Sequence, residues 1–314
     1  MYQCLVVALL LTCSMQTLAQ TSEMVFDLRP KFKVGQQARY SLWTKRNTAT
    51  QITLMGKNRQ QASSYIVEGD ATWSVLAVNA DGSAQCQMVF DWFSLTLTLP
   101  DGTTQNNDTR DGTADNPQVY PVLQAMVAKP IEVAMAADGS VKSVAGTDAM
   151  RASVAEEVDI PEDLDFIESA SDLATLPFAP TQVSVGQSWE TAYRWSHELG
   201  HMNHAVNYTL SSVRNIAGID LATVTGNGIL TLDMNQDKMP PQQDGVQIDL
   251  SLEEGTVQHQ VLIDMDRHEA VGRNSLMTTR IRTTMDNGQN SIAQVTTETV
   301  QSQALRISET DPVQ

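Results

Sequence analysis

Alternation of apolar and polar residues dominates this chain and predicts strands over most of its length. Ala38, Tyr40 and Leu42 share one parity in the run 38–43, and Ala71, Trp73, Val75 and Ala77 share one in the run 64–78. Asn79-Ala80-Asp81-Gly82 then reads as a hairpin turn, because Asp-Gly supplies the positive φ that a tight reversal needs. In the return segment 85–99, Met88, Phe90 and Trp92 lie on one parity and Leu95, Leu97 and Leu99 on the other. That switch predicts a bulge near Phe93 or burial on both faces. Residues 100–116, rich in Asp, Thr, Asn and Gly, read as an exposed loop.

The period changes at Val119, Val122, Leu123, Met126 and Val127, which predicts a short helix over 118–128 stopped by Pro130. A hairpin about Asp138-Gly139 follows, then two acidic helices over 147–157 and 164–176. Leu176-Pro177-Phe178-Ala179-Pro180 is the natural boundary between halves. Beyond it, Trp189, Thr191, Tyr193 and Trp195 have strand parity, resumed by Val206, Tyr208 and Leu210. Further strand segments run over 219–224, 228–234, 246–252, 257–265, 276–285 and 292–307, with Gly226, Glu253-Glu254-Gly255, the Gly272 region and Asn287-Gly288 read as separators. The expected fold class is α+β, mainly antiparallel β, with two similar β-rich halves (20–176 and 177–314) and a few covering helices.

The halves echo one another. Val34-Gly35-Gln36 opens an aromatic strand ending at Trp43, and Val185-Gly186-Gln187 opens one ending at Trp195. Asp138 to Gly146 and Asp264 to Gly272 also match as an Asp-containing turn followed by a small-residue segment. A genuine repeat implies two similar sheets joined by helices, a scaffold for binding or assembly more than a single catalytic cleft. With Lys129-Pro130-Ile131-Glu132-Val133 leading into Asp138-Gly139-Ser140-Val141, and with the Val34–Tyr40 and Val185–Trp189 segments, the chain resembles a family of uncharacterised exported bacterial proteins, a domain of unknown function. The resemblance implies a β-rich exported domain and carries no activity or catalytic residue. Long sheets with covering helices also suggest, as fold analogy alone, the half-open barrels of periplasmic lipid carriers.

The continuous apolar run Leu5 to Leu11, followed by small residues up to Ala19, has the form of a secretory signal cut after Ala19. It is too short to cross a hydrocarbon core, which needs about 20 residues. Export to the periplasm or the extracellular space is therefore expected. Acylation at Cys13 is the alternative, although Leu11-Thr12 puts no small residue next to that cysteine. No later apolar stretch approaches a membrane span. The net charge of −17 repels phosphate backbones and makes nucleic acid an unlikely partner. Cys86 alone follows the signal, so no internal disulfide is expected, and its alternating context places it in the core.

One motif carries chemistry. His197-Glu198-Leu199-Gly200-His201 has the form of a zinc-peptidase helix, in which histidines at i and i+4 share a face, bind zinc, and hold water for the glutamate base. It resembles the zincin peptidases and their metzincin branch, but His204 stands where that branch has glycine and Asn207 where it has its third histidine. The flanking strand parity fits a hairpin better: strand 189–197, loop 198–203, strand 204–212. Glu253, Glu254, Asp264 and Asp266 lack calcium-loop spacing and read as a solvated acidic turn. The reading is an exported, non-enzymatic binding or structural protein of unknown ligand or protein partner, with no cofactor, metal site or catalytic residue. The alternative is a zinc-dependent peptidase with Glu198 as base and His197, His201 and His204 as ligands.

Overall fold

The structure is a computed structural model that describes residues 24–127, 129–146, 182–197, 200–234, 247–286 and 291–307. Its strands in chain order are β1 (Val25–Phe26), β2 (Gln37–Leu54), β3 (Lys57–Val78), β4 (Ala84–Thr98), β5 (Thr104–Asp108) and β6 (Thr113–Ala114). Helix α1 (Tyr120–Met126) precedes β7 (Pro130–Met135), β8 (Val141–Ala145) and β9 (Val183–Ser184). The last group is β10 (Ser188–His197), β11 (Gly200–Ile216), β12 (Ile219–Met234), β13 (Gln247–Asp264), β14 (Glu269–Asp286) and β15 (Ser291–Ile307). The predicted antiparallel, β-dominated α+β class is what forms. The helix expected over 118–128 is α1, whose Val122, Leu123 and Met126 are buried. The helices expected over 147–157 and 164–176 lie outside the described residues.

Both sequence halves enter one 13-stranded sheet in the order β10-β11-β12-β13-β14-β15-β2-β3-β4-β5-β6, with β7 and β8 added beside β4. The expectation of two separate sheets joined by helices is thus corrected. β15 and β2 pair along their whole lengths, from Ile307↔Arg39 to Ile292↔Leu54, and join the halves through backbone hydrogen bonds. A twisted sheet wider than about 10 strands must curl or split. One face carries both core clusters, one built on β3, β4, β7 and α1, the other on β10 to β13 with Leu28 and Val183. We call it the inner face.

Several predicted breaks turn out to lie inside strands. β12 runs through Gly226 and Gly228, β13 through Gly255 and β14 through Gly272. A Cβ at Gly226 would sit 2.6 Å from the Tyr208 ring, and one at Gly255 2.7 Å from Leu230. Both positions fall on the crowded inner face, where the sheet needs a residue without a side chain. The stretch 100–116, expected as loop, contains β5 and β6, held at the edge of β4 by backbone pairing that needs no apolar side chain. The strand segment expected over 51–55 extends through the whole polar run 44–63, turned at Met55-Gly56 with φ of 49° and 74°. Ala217-Gly218 makes the matching two-residue turn, at 53° and 88°, between β11 and β12.

The predicted parity switch in β4 is a bulge at Asp91, since Asp70 pairs with Trp92 and Ala71 with Phe90. Arg39 fixes it from β2, donating to Asp70 and to Asp91 at 2.9 Å each. Phe90 and Phe93, on either side of the bulge, can then both face inward, and their ring centroids lie 4.5 Å apart. Cys86 is buried as expected, and burial pushes its thiol up to about 12.

The internal echo has a structural counterpart. Gln36 N donates to Lys33 O at 3.0 Å and Gln187 N to Ser184 O at 3.0 Å. In each turn the glutamine Oε1 accepts from the backbone N–H three residues earlier, at 2.9 Å from Lys33 and 3.0 Å from Ser184. Each turn also docks by two backbone bonds on a buried residue of the partner strand, Val75 in one half and Leu210 in the other. Gly35 and Gly186 adopt φ of +81° and +87° with nothing within 4 Å of a Cβ placed there. Substitution therefore costs only backbone strain. Gly35→Ala and Gly186→Ala are each expected to lose about 1 kcal/mol, read from urea midpoints, with equal losses if the turns are equivalent.

Candidate functional site

The inner face has apolar flanks and a polar middle. On β14, β15 and β2 the inward positions include Ser275, Thr279, Glu298, Ser302, Thr44 and Arg46, as the register requires. Arg46 pairs with Glu298, its Nη2 donating at 2.7 Å, and its guanidinium lies 5.9 Å from the Tyr65 ring centroid. Burial opposes the Arg46 charge, but the Glu298 carboxylate outweighs it and raises the arginine's pKa.

A cavity of about 60 Å³ opens at one end of this face. Its wall is apolar, with Leu42, Ala71, Trp73 and Met88 from the sheet and Phe32 from the segment that precedes β2. That segment is held at both ends. Leu28 is fully buried in the β10–β13 cluster, and Phe32 packs on the β3–β4 cluster. β1 is tied to β9 through Val25↔Ser184 and Phe26↔Val183, and Arg29 O lies 3.1 Å from His268 Nδ1.

Lys31, Gln36, Tyr40, His268 and Glu269 are the polar residues of the cavity's lining. Glu269 accepts from Gln36 Nε2 and forms an ion pair with Arg306. Tyr40 donates its hydroxyl to Ala270 O at 3.0 Å. Burial, reinforced by the Glu269 charge, raises the Tyr40 phenol's pKa, so it stays protonated as a donor.

Beyond the polar middle, rings line the β10–β13 flank. Trp189 stacks on Tyr208 and Tyr208 on His259, each with centroids 6.0 Å apart, and His204 lies 5.6 Å from His259. Gly226 makes the row possible: it pairs with Tyr208 on one side and His259 on the other and leaves its own place to the tyrosine ring. Burial lowers His204 to about 4, with the Arg273 charge as a second cause. Burial, then Arg273 and His204, lowers His259 to about 3. Both imidazoles are neutral at pH 7.

The His-Glu-x-x-His segment lies on the β10–β11 hairpin. His197 pairs with Gly200 and Ser196 with His201, so positions 197 and 201 alternate across the pleat, whereas a helix would put them on one side. His201 and His204 also differ in parity within β11; His204 is buried with the inward residues and His201 is half-buried on the alternate parity. Glu198 is outside the described residues. Among the described residues, no group of three His, Cys, Asp or Glu side chains could hold a metal ion. Glu253 and Asp264 sit roughly 35 Å apart along β13, at about 3.4 Å per residue. Glu253 pairs with Arg280 and Arg282, and Asp264 Oδ1 accepts from the N–H groups of Asp266 and Arg267 at 3.0 Å each.

Tyr40 and Leu42 were legible as inward positions from their parity. Glu269 and Arg273 were not, because the Gly272 region reads as a turn. The missed signal is the alternation Arg273, Ser275, Met277, Thr279 and Ile281, which continues through that region.

Residues 81–172 match a family of unknown function (DUF6263). That span contains the Lys129–Val133 and Asp138–Val141 segments and neither Val-Gly-Gln turn. No curated protein matches the chain by sequence. Among solved structures the chain is similar to lipovitellin, described for its lipid–protein interactions, at 9% identity and a TM-score of 0.47, covering 90% of this chain. It spans only 26% of the lipovitellin chain. It is also similar to a candidate lipoprotein from Parabacteroides distasonis at 12% identity and a TM-score of 0.26, covering 90% of this chain and 97% of that one. A DUF1329 family protein from Desulfovibrio piger aligns at 9% identity and a TM-score of 0.13, covering 82% and 83%. No helix among the described residues is long and apolar enough to cross a membrane.

Proposed function

We propose that this protein is an exported, non-enzymatic binding protein that holds a small apolar or amphipathic molecule on its inner face. The observation that carries the reading is the cavity lined by Phe32, Leu42, Ala71, Trp73, Val75 and Met88 together with a few polar groups, among them Tyr40 and Glu269. Small-molecule sites are concave and mostly apolar with a few placed polar groups, in roughly 300–1,000 Å³; at about 60 Å³ this cavity takes one end of such a molecule and leaves the rest to lie along the inner face. Export is supported by the apolar run Leu5 to Leu11 and the small residues before Ala19.

The test uses the neutral probe N-phenyl-1-naphthylamine, whose fluorescence rises in apolar surroundings, with decanol as competitor. The protein is expected to bind the probe and release it to decanol. Ala71→Leu, which places extra carbons in the wall, is expected to weaken binding by roughly tenfold, about 1.4 kcal/mol. Unaltered probe binding in folded Ala71→Leu would move the site elsewhere, and no probe binding at all would defeat the reading. In the same preparation, His201→Ala and Glu198→Gln are expected to leave metal content and probe binding unchanged. Stoichiometric zinc lost on His201→Ala, with peptide hydrolysis lost on Glu198→Gln, would replace the binding reading with the peptidase.

A further inference from the structure

Arg273 stands apart from the other inner-face arginines. Arg46 is matched by Glu298 and Arg306 by Glu269, but Arg273 makes no ion pair or hydrogen bond among the described residues. It is half-buried, and its register is Val261↔Arg273↔Ala304, so its strand neighbours offer no carboxylate. A cation without a counter-charge among the described residues is unexpected on the face that carries both apolar clusters, in a chain of net charge −17.

Its position relates it to the cavity in two directions. Along β14, the register shift between Leu262 and Ile263 leaves Val271 and Gly272 between Ala270, which lines the cavity, and Arg273, the next inward position. Across the sheet, Arg273 pairs with Ala304 and Ala304 with Leu42, another cavity residue, so two strand spacings of about 4.8 Å separate them. Ala270 and Ala304, the residues that stand between Arg273 and the cavity, are both small. The Arg273 charge also reaches the imidazoles of His204 and His259, so it lies between the cavity and the ring-lined flank.

Resting on the binding function proposed above, we infer that Arg273 selects the ligand: it pairs with the carboxylate of a monoanionic amphiphile whose apolar chain enters the cavity. A guanidinium presents paired N–H donors that match the two oxygens of a carboxylate. Arg273 by itself calls for one negative charge; Lys31, which also lines the cavity, is exposed to solvent. A buried ligand carboxylate without such a partner would be costly, so the arginine turns a site for apolar chains into one that prefers acids.

The experiment compares decanoate with decanol at pH 7.5, both displacing N-phenyl-1-naphthylamine, in the wild type and in Arg273→Met. The wild type is expected to bind decanoate roughly tenfold more tightly than decanol, an increment of about 1.4 kcal/mol. Arg273→Met is expected to lose that preference while its decanol affinity stays within about twofold, which also shows that the variant is folded and its cavity intact. Arg273→Lys should restore part of the preference, since it keeps the charge and loses the paired donors. Decanoate no tighter than decanol in the wild type, or a preference that survives Arg273→Met, overturns the assignment and leaves the binding function standing. Failure of both compounds to displace the probe from the wild type removes the binding function and the role of Arg273 with it.

Discussion

Lowering the pH from 7 to 4.5 is expected to destabilise the protein by roughly 3 to 5 kcal/mol, through His204 and His259. Their folded pKa values, about 4 and about 3, lie below the ordinary histidine value of 6.5. Between those values and 6.5 the unfolded chain binds protons that the folded chain refuses. Stability is therefore complete above pH 6.5 and falls as pH drops toward the folded values. Each pKa unit is worth about 1.4 kcal/mol per group. The groups that face the pair reinforce the effect: Arg273 repels a proton from β14, each imidazole would repel the other's charge, and Tyr208 stacks against His259 without supplying a carboxylate.

The carboxylates act lower on the pH scale. Asp81, Asp101 and Asp111 are held below the ordinary carboxylate range by hydrogen bonds from Ser83, Thr103 and Thr113, and Asp138, despite its burial, by those from Ser140. Their contribution is present above about pH 4 and is lost below it. Urea midpoints measured at intervals from pH 7 to 4.5 isolate the histidines. The wild type should lose stability steadily, and a His204→Leu, His259→Leu double variant should lose most of that dependence, what remains coming from His268, whose pKa burial also lowers. A flat wild-type profile would contradict the burial of the pair.

Gly228→Val is expected to cost about 3 kcal/mol or more, at the upper end of overpacking effects. A Cβ there would lie 2.5 Å from the Ala205 carbonyl oxygen, and 2.9 Å from both Val206 Cγ2 and Val257 Cγ1. Neither valine can yield easily, at 0% and 3% exposure, and the carbonyl belongs to the paired backbone of β11. Relief therefore requires β12 to move away from β11 or β13. Gly272→Ala is the matched control, because its Cβ would meet Leu305 and Leu262 at 3.4 and 3.5 Å, ordinary contact distances. That variant should stay within about 0.5 kcal/mol of wild type. Equal effects from the two would show that the inner face is not crowded at β12.

The glycines show how far a one-dimensional pattern can be read. Gly35, Gly56, Gly82 and Gly139 mark turns, and at each the backbone adopts positive φ, a local demand visible in the local residues. Gly226, Gly228 and Gly255 look the same in sequence but answer to neighbours on adjacent strands, Tyr208, Val206 and Leu230, which no window of the chain contains. Reading Gly226 and Gly255 as breaks divided long strands into short ones. Polar stretches such as 44–63 were undercounted for a related reason, since backbone pairing with β15 and with each other orders them without apolar side chains.

Period-two alternation, hairpin turns and the parity switch of β4 were determined by the sequence alone, because each depends on residues a few positions apart, and the strand register decided that the switch is a bulge. The repeated Val-Gly-Gln motif belongs with them, although the glutamine side chain that closes each turn was seen only in the structure. Tertiary structure decided that both halves share one sheet, because the β15–β2 junction joins segments more than two hundred residues apart and its backbone bonds leave no mark in residue type. It also decided the site. Tyr40, Glu269 and Arg306 meet only because that junction brings the start of β2 beside the end of β15 and the start of β14. The same junction sets Arg273 across Ala304 from Leu42, with no acidic residue opposite. Register across strands, rather than spacing along the chain, fixes which charges find partners.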